Sequence, residues 1–130
     1  MLGSAEAHSG FAVDDLGKAK EFYGEKLGLK VNVLEEENGL FELEHPNQKT
    51  LGYLKSDLRP SNNTILNFEV DDIDATVDGL AERGVKPERY PEWEHDEKGI
   101  MRGIEAGRGP DIAWFKDPAG NIISVLHGPE

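Results

Sequence analysis

Four histidines, the carboxylate of Glu69 among 26 acidic residues, and a set of aromatics are the candidates for chemistry in this chain; there is no cysteine, hence no thiolate and no disulfide. His8 leads into an apolar run, Phe11-Ala12-Val13, and strand alternation puts it on the face opposite Phe11 and Val13, open to a ligand or without a role. Asn67 and Glu69 share one parity of the run Thr64 to Val70, opposite Leu66, Phe68 and Val70. A carboxylate buried there must be paired or wetted, and can serve as a base of raised pKa or as an anchor for a cation. Phe41, Tyr53, Trp93 and Trp114 are candidates for an aromatic wall, with ordinary core as the alternative. His95, in Trp93-Glu94-His95-Asp96-Glu97, reads as part of an exposed loop, His45 as a solvated turn residue, and His127 as lying off the ligand face. No serine sits in a nucleophile elbow. Gly103, Gly107 and Gly109 lack the spacing and the strand-to-helix junction of a phosphate loop.

The elements that must position these groups come in two copies. Val13-Asp14-Asp15-Leu16 and Val70-Asp71-Asp72-Ile73 each end an apolar alternating run and open an amphipathic helix, and the helices stop at Gly28-Leu29-Lys30 and Gly84-Val85-Lys86. The offset is 57 residues at the start (70 − 13) and 56 at the end (84 − 28), so one helix holds an extra residue. Strands are expected near 8–13, 29–34, 40–44 and 50–54, with Asn38-Gly39 as a hairpin turn, and near 64–70, 112–115 and 122–126. Residues 87–93 suggest an edge strand demoted by Pro87 and Pro91, and 94–109 a loop holding a short strand or helical turn. The fold class is α+β: two βαβββ modules, about 8–57 and 64–127, paired into one domain over residues 1–130, a curved mixed sheet enclosing a concave cleft. That cleft is the expected ligand site.

Acidic residues number 26 against 14 basic ones, a net charge of −12. Such a balance disfavours nucleic acid and anionic membrane surfaces as partners and admits a neutral or cationic small molecule. Without a signal-like start or a long apolar run, the chain reads as a cytoplasmic protein.

His8-x4-Val13-x-Asp15-Leu16-x5-Phe22-Tyr23-x3-Leu27-Gly28-Leu29 is similar to the opening of the vicinal oxygen chelate superfamily, which includes glyoxalase I, bleomycin-resistance proteins and extradiol dioxygenases. Trp114-Phe115-Lys116-Asp117-Pro118-Ala119-Gly120-Asn121 resembles its closing hairpin. The resemblance implies a homodimer and, in the enzymes, a divalent metal held by four His or Glu positions. Carried over, these fall on His8, on the strand Lys49–Lys55 with no ligand, on Thr64 or Ile65, and on Ser124. Three of the four are missing, and a transition-metal site wants three protein ligands or more. The favoured expectation is therefore a bleomycin-resistance-like protein that binds a small cationic or aromatic molecule without a metal cofactor, using His8, Phe41, Tyr53, Asn67, Glu69, Trp93, Trp114 and Ser124. The alternative is a metal-dependent lyase, isomerase or dioxygenase with a site rebuilt around His8 and Glu69; a third is an interaction module with no ligand.

Overall fold

The computed structural model describes residues 1–129. The chain forms two compact units, Met1–Pro60 and the remainder from Ser61. A 3-10 turn, Leu2–Ser4, precedes the first unit's strands. That unit then runs β1 (Gly10–Val13), α1 (Leu16–Lys20), β2 (Lys30–Glu35), β3 (Leu40–Glu44) and β4 (Lys49–Leu54). Its sheet has the order β1-β4-β3-β2, with β1 parallel to β4 and the other pairs antiparallel. The second runs β5 (Thr64–Glu69), α2 (Ile73–Glu82), β6 (Met101–Arg102), α3 (Gly103–Ala106), β7 (Asp111–Lys116) and β8 (Ile122–His127). Its order, β5-β8-β7-β6, repeats the first, again with one parallel pair.

The duplicated motif works identically in both copies. Asp15 Oδ1 accepts from the Lys18 amide at 2.9 Å, and Asp72 Oδ1 from the Ala75 amide at 3.0 Å, so each aspartate satisfies a free donor of the first turn. Gly28 and Gly84 leave the helices at φ 77° and 79°, where a side chain would be strained. The extra residue of the first copy is absorbed by a π-helical stretch, Glu21–Lys26, that continues α1 and is closed by Leu27 N–H donating to Phe22 O at 2.9 Å. A π-turn is a one-residue insertion into an α-helix. The widened turn lets consecutive aromatics, Phe22 and Tyr23, both bury on the sheet, their rings 5.0 Å apart and edge-on.

Each sheet buries one face under its helix. In the first, Phe11 meets Tyr23 edge-on at 5.5 Å and Phe41 at 5.9 Å, with Val13 and Leu43 beside them. Phe41 occupies the space over Gly52, where a Cβ would lie 2.1 Å from its ring. In the second, Leu66, Ile123, Val125, Ala113 and Phe115 share the face toward α2, whose Ile73 and Val77 are buried. The closing hairpin is knotted by its own side chains. Asp117 Oδ1 accepts from the Ala119 and Asn121 amides at 2.9 Å each, while Asn121 Nδ2 donates to Oδ2 at 3.0 Å. Residues 87–93 do not form the expected edge strand. Pro87 and Pro91 have no N–H to offer, and one backbone bond, Glu88 N–H to Trp114 O at 2.7 Å, ties the segment to β7. The sixth strand is instead the two-residue β6, followed at once by the helical turn α3.

Candidate functional site

The segment between α2 and β6 is long and polar, yet it is held at many points. His95 Nε2 accepts from the Tyr90 amide at 3.1 Å, which assigns the ring proton to Nδ1, and Nδ1 donates to Gly99 O at 3.1 Å. Asp96 Oδ1 accepts from the Lys98 and Ile100 amides at 2.9 and 2.8 Å. Arg89 donates to the carbonyls of Asp96 and Glu97. Arg102 then ties the segment to the helix: it grips Asp74 of α2 with two bonds, 2.7 and 3.1 Å, and Asp96 at 2.9 Å, with Asp111 of β7 at 3.7 Å. Asp74 holds the Arg102 guanidinium above its ordinary range, and Arg102 in turn holds the Asp74 carboxyl below its own. Burial pulls the Asp96 carboxyl up, but the Ile100 amide, Arg102 and the Lys98 amide together outweigh it and keep it low. Lys98 adds contacts to Asp78 at 3.0 Å and Asp74 at 3.4 Å.

This scaffold presents an aromatic cluster on the face of the second sheet opposite α2. Trp114 of β7 is its centre. Tyr90 meets it edge-on at 5.7 Å between ring centroids, Trp93 lies tilted at 6.2 Å, and His95 stands edge-on at 6.2 Å. Two grooves flank the cluster. One, of about 590 Å³, runs from Trp93 and His95 past Met101 and Arg102 to Glu105 and Arg108. The other, of about 680 Å³, is bounded by Arg89, Tyr90, Pro91, Trp93, Glu94 and His95. Trp93, Glu94 and His95 form the wall the grooves share. Among the described residues no ion pair or hydrogen bond engages the side chains of Glu92, Glu94 or Glu105, so the first groove's rim carries three carboxylates outside any ion pair, against the one cation of Arg108 that is likewise unpaired. Aromatic faces beside free negative charge attract flat molecules and cations alike.

The residues expected from the sequence divide sharply. Trp93 and Trp114 come together, their ring centroids 6.2 Å apart, and of the two Trp93 lines the grooves. Ser124 and Asn67 lie in the strand row adjoining Trp114, register-paired on neighbouring strands, with Ser124 Oγ donating to Asn67 Oδ1 at 2.6 Å. Ser124 is fully buried and Asn67 exposed. Glu69 is exposed at the end of β5, not a buried carboxylate, because the strand stops there. Phe41 is core of the first module, on the face opposite exposed Tyr53, which pairs with Ala12 on the helix-free side. His8 lies exposed, ahead of β1 rather than within it. His45 is not a solvated turn residue: it is partly buried, its Nε2 2.8 Å from Thr50 Oγ1, and burial lowers its pKa. His95, expected in an exposed loop, is a fixed member of the cluster, and Tyr90 joins it with no motif in the sequence to mark it. His127 Nδ1 donates to Val70 O at 2.9 Å, off the helix-free face as expected.

At the positions where the resemblance implies metal ligands, the donor set is poor. β4 offers Leu51 and Tyr53 on its helix-free face, Thr64 and Ile65 form a bulge in β5, and the hydroxyl of Ser124 is spent on Asn67. Among the described residues no three His, Asp or Glu stand close enough to hold an ion. These side chains do not fit the family's metal.

Comparison with known proteins agrees with this architecture. Residues 7–125 match the family described as the Glyoxalase/Bleomycin resistance protein/Dioxygenase superfamily. The protein YraH of Bacillus subtilis (strain 168) is 32% identical over 126 residues, covering 87% of this chain and 90% of YraH. Among solved structures, TnmS3, an antibiotic binding protein from Streptomyces sp. CB03234, superposes with a TM-score of 0.63 at 25% identity, covering 97% of this chain and 98% of that one. A glyoxalase family protein from Enterococcus faecalis gives 0.66 at 20% identity, covering 97% and 99%. The chain belongs to the glyoxalase/bleomycin resistance protein/dioxygenase superfamily.

Proposed function

We propose that this protein binds a small, flat, cationic molecule against the Tyr90–Trp93–His95–Trp114 cluster and does so without a metal. The observation that carries the reading is the pairing of clustered aromatic rings with the free carboxylates of Glu92, Glu94 and Glu105 around grooves of small-molecule size. Stacking on indole supplies affinity, and the acidic rim selects charge. The antibiotic-binding activity named for TnmS3, which shares this fold, supports a binding role rather than a catalytic one.

The test uses an aminoalkyl-anthracene cation, followed by thermal shift and by quenching of tryptophan fluorescence. At a hundredfold excess over Kd a ligand stabilises the folded state by about 2.7 kcal/mol, a rise of several degrees in Tm. Trp93→Ala, at a half-exposed position, should keep the fold and lose most of that rise. No stabilisation by the cation, with quenching no greater than for free tryptophan, would end this reading.

A further inference from the structure

Among the described residues, the Tyr90 hydroxyl is the one buried side-chain polar atom with no hydrogen-bond partner. It belongs to the aromatic cluster, and Tyr90 also lines the second groove. Buried hydroxyls almost always find a partner, because leaving one unmade forfeits its hydration for nothing in return. The surroundings explain why none is present within the fold. Tyr90 packs edge-on to Trp114 and tilted to His95, both ring contacts, and the His95 nitrogens are already committed to the Tyr90 amide and to Gly99 O. Burial, reinforced by Glu88 and Glu92, raises the pKa of the phenol, so the group stays a donor in neutral solution. It is a buried donor that the folded chain leaves without a partner.

We infer that Tyr90 reads a hydrogen-bond acceptor on the ligand: the molecule that fills this site carries, besides its aromatic plane and its cationic group, a carbonyl or quinone-type oxygen that accepts from the phenol. This deepens the binding role proposed above and rests on it. The hydroxyl is out of contact with solvent, so the oxygen reaches it only when part of the wall moves. Trp93, half exposed and at the junction of both grooves, is the least buried ring of the cluster. Its displacement opens the cluster, and the new hydrogen bond then satisfies a donor that the free protein leaves orphaned. The result is discrimination at a single atom, since a ligand of the same shape lacking the oxygen must open the cluster and leave the phenol unsatisfied.

Two probes separate the possibilities: an aminoalkyl-anthraquinone cation, which carries ring carbonyls, and the matching aminoalkyl-anthracene cation, which does not. Both are titrated by calorimetry into the wild type and into Tyr90→Phe, and the Tm of each free protein is recorded. The expected pattern has three parts. Tyr90→Phe melts no lower than wild type, because it removes a hydroxyl that had no partner. Its affinity for the anthraquinone falls about tenfold, equivalent to about 1.4 kcal/mol. Its affinity for the anthracene is unchanged or better. Equal losses for both probes would assign Tyr90 a ring-packing role only and overturn the inference, as would a lower Tm for the free variant. Unchanged affinity for both would overturn it too, while leaving the binding role intact. Failure of either cation to bind the wild type would remove the binding role and this inference together.

Discussion

Arg102→Met tests whether the ion-pair junction is what holds the site segment to its scaffold. The guanidinium joins three carboxylates from three elements: Asp74 in α2, Asp96 in the segment and Asp111 in β7. Methionine retains the apolar stem and removes the charge. The contact with Asp74 is bidentate, but that side chain is 44% exposed, so screening limits it to about 0.5–1 kcal/mol. Asp96 is only 19% exposed, and its charge-assisted bond is worth about 1.5–2 kcal/mol. Asp111 at 3.7 Å adds little. The expected loss at pH 7 is therefore about 2–3 kcal/mol, measured by urea denaturation with tryptophan fluorescence. The pH dependence is the sharper test. Asp74 and Asp96 are held below the ordinary aspartate pKa of 3.8, so their contribution is complete above that value and disappears as pH falls through the folded values. The variant lacks that contribution and instead leaves Asp74 and Asp96 as like charges without their shared cation, and their protonation in acid relieves the repulsion. The difference between wild type and variant should hold from pH 7 down to about 4 and narrow below. A gap that stays constant to pH 3, or widens, would refute the electrostatic account and leave lost packing as the cause.

Three further substitutions follow from local geometry. Asp117→Ala strips the acceptor from the Ala119 and Asn121 amides and from Asn121 Nδ2 inside a buried turn, and should lower stability by about 2–4 kcal/mol in chemical denaturation without altering ligand affinity. Gly52→Ala drives a methyl into the Phe41 ring, so a cost of about 1–3 kcal/mol is expected by the same measurement, and Phe41→Leu in the same chain should restore part of it. His95→Ala leaves the Tyr90 amide without an acceptor and Gly99 O without a donor; amide exchange at Tyr90 should accelerate by about tenfold or more, the equivalent of about 1.4 kcal/mol.

The repeat was legible because its parts are local. An aspartate immediately before a helical stripe caps that helix whatever surrounds it, and a glycine past the last turn ends it. Even the one-residue mismatch between copies could be read, although the sequence did not say that a π-turn would absorb it. For Phe41, where wall and core both stood open, the pattern favours core: in Leu40-Phe41-Glu42-Leu43-Glu44 the carboxylates mark one face, and Phe41 and Leu43 share the other, which is buried. The site segment is a different matter. His95 sits among Trp93, Glu94, Asp96 and Glu97, a composition that reads as solvated loop, and what half-buries it is Trp114, nineteen positions later in the chain. Nor does a two-residue strand such as β6 generate any periodicity to detect. Pro87 and Pro91 were recognised as hostile to a ladder, and they were hostile enough to prevent one. The physical reason is common to these failures. Caps, turns and strand parity are decided within a few residues, whereas the cluster around Trp114 is decided by which side chains a long segment brings back onto the sheet. The half of the fold that repeats is therefore written in the sequence twice, and the part that distinguishes this chain's site is the stretch between Val85 and Met101, where the two copies no longer correspond.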